Sequence, residues 1–195
     1  MPLVAATSAL AQNDIYDNGP TDGQGLGWTI NFGFAVSNTF VVSTPSTIDG
    51  VTFAAWLFAG DILETAEVSI TSSEFGGTTY FDQTLGFTAS GCFQNTIGYN
   101  ICNETASFSG FNLNPGTYWL NLENGVVNTG DPVYWDENGG PSEASNNSVG
   151  TLPSESFTIL GRQGSGTGTT PEPSSILLFG PAIFGLAGIL RRKLL

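Results

Sequence analysis

The chain has 195 residues, with 26 Gly, 14 Phe, 4 Trp, 2 Cys and no His, and its 17 Asp+Glu against 4 Lys+Arg leave a net charge of −13. The length suits one domain with short appendages, and 40% hydrophobic content excludes an intrinsically disordered chain. Without His there is no Ser-His-Asp or Cys-His nucleophile and no imidazole metal site, and sixteen Asp/Glu against Arg162 alone between Gln12 and Thr170 exclude nucleic acid as a partner of the body.

At the start, Ala9-Leu10-Ala11 forms a small-x-small site of the kind signal peptidase cuts, here before Gln12. The basic and apolar regions of a full signal are largely missing. Residues 1–11 therefore read as the remnant of a signal peptide, with Ala9 and Ala11 as the cleavage positions, and the body is expected to be exported.

From residue 12 to 160 the pattern is strand after strand. Trp28, Ile30, Phe32, Phe34 and Val36 alternate with smaller or polar residues, which predicts one strand over 28–36. Val51, Phe53, Ala55 and Leu57 repeat the signal, followed by Val68 and Ile70. In 117–123, Tyr118, Leu120 and Leu122 point one way while Trp119, Asn121 and Glu123 point the other; Phe157 and Ile159 end the series. Asp49-Gly50, Gly60-Asp61, Gly76-Gly77, Asn114-Pro115-Gly116, Gly130-Asp131-Pro132 and Gly139-Gly140-Pro141 read as turns. No body window carries a helical stripe. The predicted fold is all-β: an antiparallel β-sandwich of jelly-roll-like type, with one hydrophobic helix at the C-terminus.

Cys92 and Cys102 in an exported chain most simply form a disulfide. A zinc shell would be half empty without His, and the spacing is not that of a Cys-x-x-Cys redox pair.

The segment 131–142 concentrates carboxylates, an amide and two adjacent aromatics in turn-rich sequence. Three readings stand side by side. Tyr134 and Trp135 plug one end of the sandwich while Asp136 and Asn138 make local turn bonds. Alternatively Asp136, Glu137 and Asn138 ligate Ca²⁺, a hard cation that takes oxygen donors. In the third, a sugar ring stacks on Trp135 or Tyr134 while Asp136 and Asn138 bind hydroxyls, with Trp119 as a second platform or as cover for a second core layer. Glycoside hydrolysis needs only two carboxylates, and Asp136 with Glu123 or Glu137 is the nominal pair. Ser and Thr nucleophiles lack an activating base, and the body has no lysine for a phosphate loop, so a non-catalytic role is expected.

Residues 161–170 are a linker of small residues (Gly-Arg-Gln-Gly-Ser-Gly-Thr-Gly-Thr-Thr). Then come Pro171-Glu172-Pro173, an apolar stretch from Ile176 to Leu190 containing Gly185-Leu186-Ala187-Gly188, and Arg191-Arg192-Lys193. Fifteen helical residues span about 22 Å, short of the ~30 Å hydrocarbon core unless flanking residues extend them. The basic cluster should stay cytoplasmic, which leaves the body outside. Residues 171–195 resemble the PEP-CTERM sorting signal of Gram-negative bacteria, a tail also known as an ice-binding-protein C-terminal domain, a name that says nothing about ice. Pro181 departs from the small residue usual at that place.

The resemblance implies an exosortase, a membrane protease or transpeptidase, as processing partner near Pro171-Glu172-Pro173. It also implies transient anchoring of the helix in the inner membrane, then passage to the cell surface or extracellular matrix, in a setting of exopolysaccharide and biofilm production. The expectation is a non-catalytic matrix or surface protein associated with exopolysaccharide. A carboxylate-based glycan hydrolase and a structural protein that self-associates through sheet edges are the alternatives.

Overall fold

Alternating apolar side chains have one economical outcome, extended strands whose inner faces meet, and the computed structural model has that form over the residues it describes, 12–164. Ala9, Ala11, Pro171, Glu172, Pro173, Arg191, Arg192, Lys193 and the expected C-terminal helix lie outside those residues. Thirteen strands follow in order: β1 (Asn13–Asp17), β2 (Gly27–Thr29), β3 (Ala35–Val42), β4 (Ser46–Leu57), β5 (Leu63–Ser73), β6 (Gly76–Gly86), β7 (Thr88–Gln94), β8 (Asn100–Leu113), β9 (Gly116–Val127), β10 (Tyr134–Asp136), β11 (Ala144–Asn146), β12 (Gly150–Leu152) and β13 (Phe157–Gln163). No helix occurs among the described residues.

The strands form two antiparallel sheets. In sheet A, β4 is central, with β8 and then β7 on one side; on the other, β13 runs along its first part and β10 along its end, flanked by β1 and β2. Sheet B has the order β12-β11-β3-β9-β5-β6. One core lies between them: Ile48, Val51, Phe53, Ala55 and Leu57 from sheet A meet Val36, Phe40, Val68, Ile70, Leu120 and Leu122 from sheet B. This is a β-sandwich arrangement, and the positions read as inward over 51–57, 68–70, 118–122 and 157–159 are buried.

Two sequence expectations are corrected. The run 28–36 is not one strand: Phe32 (φ 57°) and Gly33 (φ 85°) form a tight turn closed by the Phe34 N–H donating to the Asn31 carbonyl at 3.0 Å. Because the turn inserts two residues, the sequence alternation passes through it unbroken, but Phe32 and Phe34 stand 65% and 40% exposed instead of inward. Asp49-Gly50 is not a turn either. It lies inside β4 at a register shift between Ile48 and Gly50, where a side chain on residue 50 would meet the Ala106 carbonyl at 3.0 Å. Asp49 instead receives Arg162 of β13 at 2.7 Å, so β13 continues into the segment read as linker.

Candidate functional site

The sequence pointed first to 131–142, and that segment turns out to be structural. The three-residue β10 wedges between β4 and β2, pairing Trp135 with Ala55 and with Trp28. Trp135 is 0% exposed. Its indole N–H donates to the Ser156 carbonyl at 2.8 Å, and Phe53 and Phe157 meet its ring edge-on at 6.0 and 5.6 Å. Neither face of the ring is open, so stacking of a sugar on Trp135 is ruled out by burial. Tyr134, one residue earlier, faces outward and packs against Tyr99 at 5.8 Å.

The oxygen set expected for Ca²⁺ is not assembled. Asp136 accepts from the Trp56 indole N–H at 2.5 Å and from the backbone N–H groups of Asp22 and Gly23 at 3.2 and 3.4 Å. Burial raises its pKa to about 6, against the lowering effect of those same bonds. Asn138 donates to the Asn18 carbonyl at 2.9 Å and accepts from the Gly140 N–H at 3.0 Å. Glu137 is turned the other way and accepts from the Trp28 indole N–H at 2.8 Å. Among the described residues no three Asp, Glu, Cys or His side chains converge on a common point. Neither nominal hydrolase pair faces a common site: Asp136 lies on the outer side of sheet A and Glu123 on the outer side of sheet B, and Glu137, adjacent to Asp136, is turned to the opposite side toward Trp28. Cys92 and Cys102 are bonded, with S–S 2.04 Å, and staple β7 to β8.

The outer face of sheet B is a different surface. Strand alternation turns Trp119, Asn121 and Glu123 of β9 outward, and their register neighbours extend each into a row across the sheet. The first row is Thr39-Trp119-Thr71. The second is Ser145-Ser37-Asn121-Ser69-Asp82, and the third Ala35-Glu123-Glu67. Rows two residues apart along a strand are roughly 7 Å apart.

Two cavities lie on this face. One of about 320 Å³ is lined by Trp119, Ser37, Thr39, Ser145, Glu74 and Glu143. The other, about 310 Å³, holds Glu67, Asp82, Glu123, Asn121, Phe75 and Asn147 among its walls. The tip of the β5–β6 hairpin separates them. Register shifts on both sides of Thr71 bend β5 back over the sheet, and the Phe75 N–H donates to Asn121 Oδ1 at 3.3 Å. Glu74 then faces one cavity and Phe75 the other.

Polar satisfaction on this face is uneven. Asn121 is fully used, donating to Ser69 Oγ at 3.0 Å and Thr71 Oγ1 at 2.9 Å. Ser37, 1% exposed at the floor of the Trp119 cavity, has a hydroxyl with no partner at all. A buried hydroxyl without a partner costs about 1–3 kcal/mol. In the second cavity, burial and then the charge of Glu67 raise the pKa of Asp82. Glu123 is raised by burial and then by Glu67 and Asp82. Glu67 accepts from Asn124 at 2.8 Å.

Of the residues singled out from sequence, only Trp119 and Glu123 lie on this face. Ser37, Asn121, Glu67, Asp82, Glu74 and Glu143 were missed, although β9 alternation already carried the signal for Asn121. The others depend on strand register across β3, β5 and β6, which no local pattern encodes. No protein-family model matches this chain, and no curated protein matches it.

Proposed function

We propose that this is an exported, non-catalytic surface or extracellular-matrix protein that binds exopolysaccharide along the outer face of sheet B. The observation that carries the reading is the Trp119 cavity, where a half-buried indole lies beside the unpartnered hydroxyl of Ser37. A concave site with one aromatic wall and a few placed polar groups suits a sugar ring. The surrounding acids favour a neutral polymer over a uronate-rich one, because like charges repel across a partly desolvated surface.

We propose also that the sandwich is a jelly roll. With the short β2, β10, β11 and β12 and the edge strand β7 beyond β8 set aside, the strands lie in the order β1-β13-β4-β8 in one sheet and β3-β9-β5-β6 in the other, each pair antiparallel. Two interleaved Greek keys generate that order, which supports a jelly roll. The resemblance of residues 171–195 to a PEP-CTERM signal supports delivery by an exosortase after transient inner-membrane anchoring. Intact-mass analysis of cell-surface protein tests this: loss or replacement of 176–195 is expected, and retention of that segment would refute it.

Binding is tested by retention of the chain on the exopolysaccharide of the producing bacterium. Trp119→Ala is expected to lower retention at least tenfold with its melting temperature nearly unchanged; equal retention of both proteins would sink the proposal. The hydrolase alternative has one observation in its favour, the three acids Glu67, Asp82 and Glu123 beside one cavity. Release of reducing ends in the same incubation, lost in Asp82→Asn, would replace the binding reading with that one.

A further inference from the structure

One feature of the interior is independent of the glycan-binding face. Glu137, just after β10, and Glu155, between β12 and β13, are directly opposite one another in an isolated antiparallel bridge. Residues so paired carry their side chains on the same side, with Cβ atoms about 4.5–5.5 Å apart, and like charges there repel. Glu155 is 0% exposed, and neither of its carboxylate oxygens has a hydrogen-bond partner. An isolated buried carboxylate costs several kcal/mol, so this arrangement calls for a counter-charge.

Among the described residues none is free to supply one. Arg162 is the only Lys or Arg among the described residues, and it is engaged by Asp49 at 2.7 Å. The amide donors nearby are also committed. Asn18 Nδ2 donates to Ser154 Oγ at 2.7 Å and to the Glu155 carbonyl at 2.6 Å. Asn138 Nδ2 donates to the Asn18 carbonyl, and Asn38 takes the Glu155 N–H on its own Oδ1 at 2.8 Å. Glu137 uses Oε2 to accept from Trp28, which leaves Oε1 available, and its side chain is only half-buried, so the pair has a path to solvent.

We propose that Glu137 and Glu155 hold a divalent cation of the calcium class at this bridge. A hard cation takes carboxylate oxygens and completes its shell with backbone carbonyls and water. It satisfies both Glu155 oxygens and the free oxygen of Glu137 together, whereas a single proton neutralises one group and makes one bond. Burial, and after it the charges of Glu137 and Asp136, push the Glu155 carboxyl well above its ordinary pKa, the direction expected of a carboxylate lacking its counter-ion. With two carboxylates the site is of low charge count, which places it in the weak class, about 10⁻⁴–10⁻³ M.

The Trp28 indole, bonded to Glu137, provides a built-in reporter. Terbium, a luminescent stand-in for calcium, should emit when tryptophan is excited in the 195-residue chain, and millimolar Ca²⁺ should displace it. Glu155→Gln, which keeps shape and removes charge, is expected to weaken Tb³⁺ binding at least tenfold and to abolish the rise in melting temperature on adding Ca²⁺. Trp28→Phe should lose the emission and keep that rise. If Glu155→Gln does not fold, Glu137→Gln carries the same expectation from a half-exposed position. Equal melting temperatures in Ca²⁺ and chelator would overturn the site, as would emission that survives both glutamate substitutions. So would a Glu155→Gln protein that is stabilised while the parent ignores Ca²⁺, because the pair would then be sharing a proton.

Discussion

The two sheets share one buried core and differ on their outer surfaces. Outside sheet A, Trp56 and Asp136 are sealed beneath the chain between β1 and β2: Gly23 packs so closely on Ile101 and Phe93 that a Cβ there would meet them at 2.9 and 3.0 Å. Asn95 fastens the β7–β8 hairpin to this cover by donating to the Gly23 carbonyl at 3.2 Å. Outside sheet B, only the β5–β6 tip reaches over, and it leaves Trp119 and Ser37 lining a cavity. Composition does not separate the two, since each face has tryptophan, asparagine and carboxylates. Sheet A's outer face keeps a smaller cavity of about 230 Å³ where Thr52, Ala54, Asn103 and Thr158 meet the Pro20-Thr21 segment, so what separates Trp56 from Trp119 is whether another segment lies directly on top.

The largest test of that contrast sets two tryptophans against each other. Trp135→Ala should cost about 3–5 kcal/mol, as loss of a buried aromatic does, whereas Trp119→Ala should cost no more than about 1 kcal/mol. Denaturant unfolding of both variants measures this, and equal costs would make the sheet B face core instead of surface. Next comes the staple of sheet A. Replacing Cys92 and Cys102 by Ser should remove about 3 kcal/mol through the unfolded chain, with glycan retention on sheet B unchanged. A parallel loss of retention in folded protein would mean the two faces are coupled.

A pH series probes the inner side of sheet A. Glu104, 1% exposed and paired in register with Phe53, has a pKa raised by burial from 4.5 to about 7. The folded state therefore holds this proton more tightly than the unfolded chain does. Stability from this group is highest below pH 4.5, falls as pH rises to about 7 and is flat above. At 1.36 kcal/mol per unit the difference is about 3 kcal/mol. Thermal melts at pH 5 and 8 should show a smaller drop in Glu104→Gln than in the parent, and identical drops would contradict the assignment. The smallest effect concerns the link between the sheets. Phe32 at φ 57° carries the steric cost of the left-handed region, so Phe32→Asn should stabilise by about 1 kcal/mol. A destabilised Phe32→Asn protein would show that the exposed ring makes contacts worth more than that strain.

Much of the architecture is legible locally. Tyr118, Leu120 and Leu122 declare the inner face of β9 by spacing alone, and the short separation of Cys92 and Cys102 marks their hairpin. The failures share a cause. Phe32 continued an alternating pattern because a two-residue turn preserves parity, and Asp49-Gly50 carried turn chemistry that β4 uses for a bulge. The segment 131–142 looked like a binding loop since its aromatics and acids are what a site would need. They are equally what a wedge strand needs when its indole N–H must find the Ser156 carbonyl.

The amino-acid sequence by itself determined the all-β class, the inner faces of the long strands, the disulfide and the acidic character, because each depends on composition or on neighbours a few residues apart. Tertiary structure alone decided that Trp135 is core and Trp119 is open, that Ser37 has no partner, and that Glu155 confronts Glu137. Those outcomes turn on which distant segment covers which face. Period-two alternation says only that a side chain leaves one side of a strand, never what waits for it there.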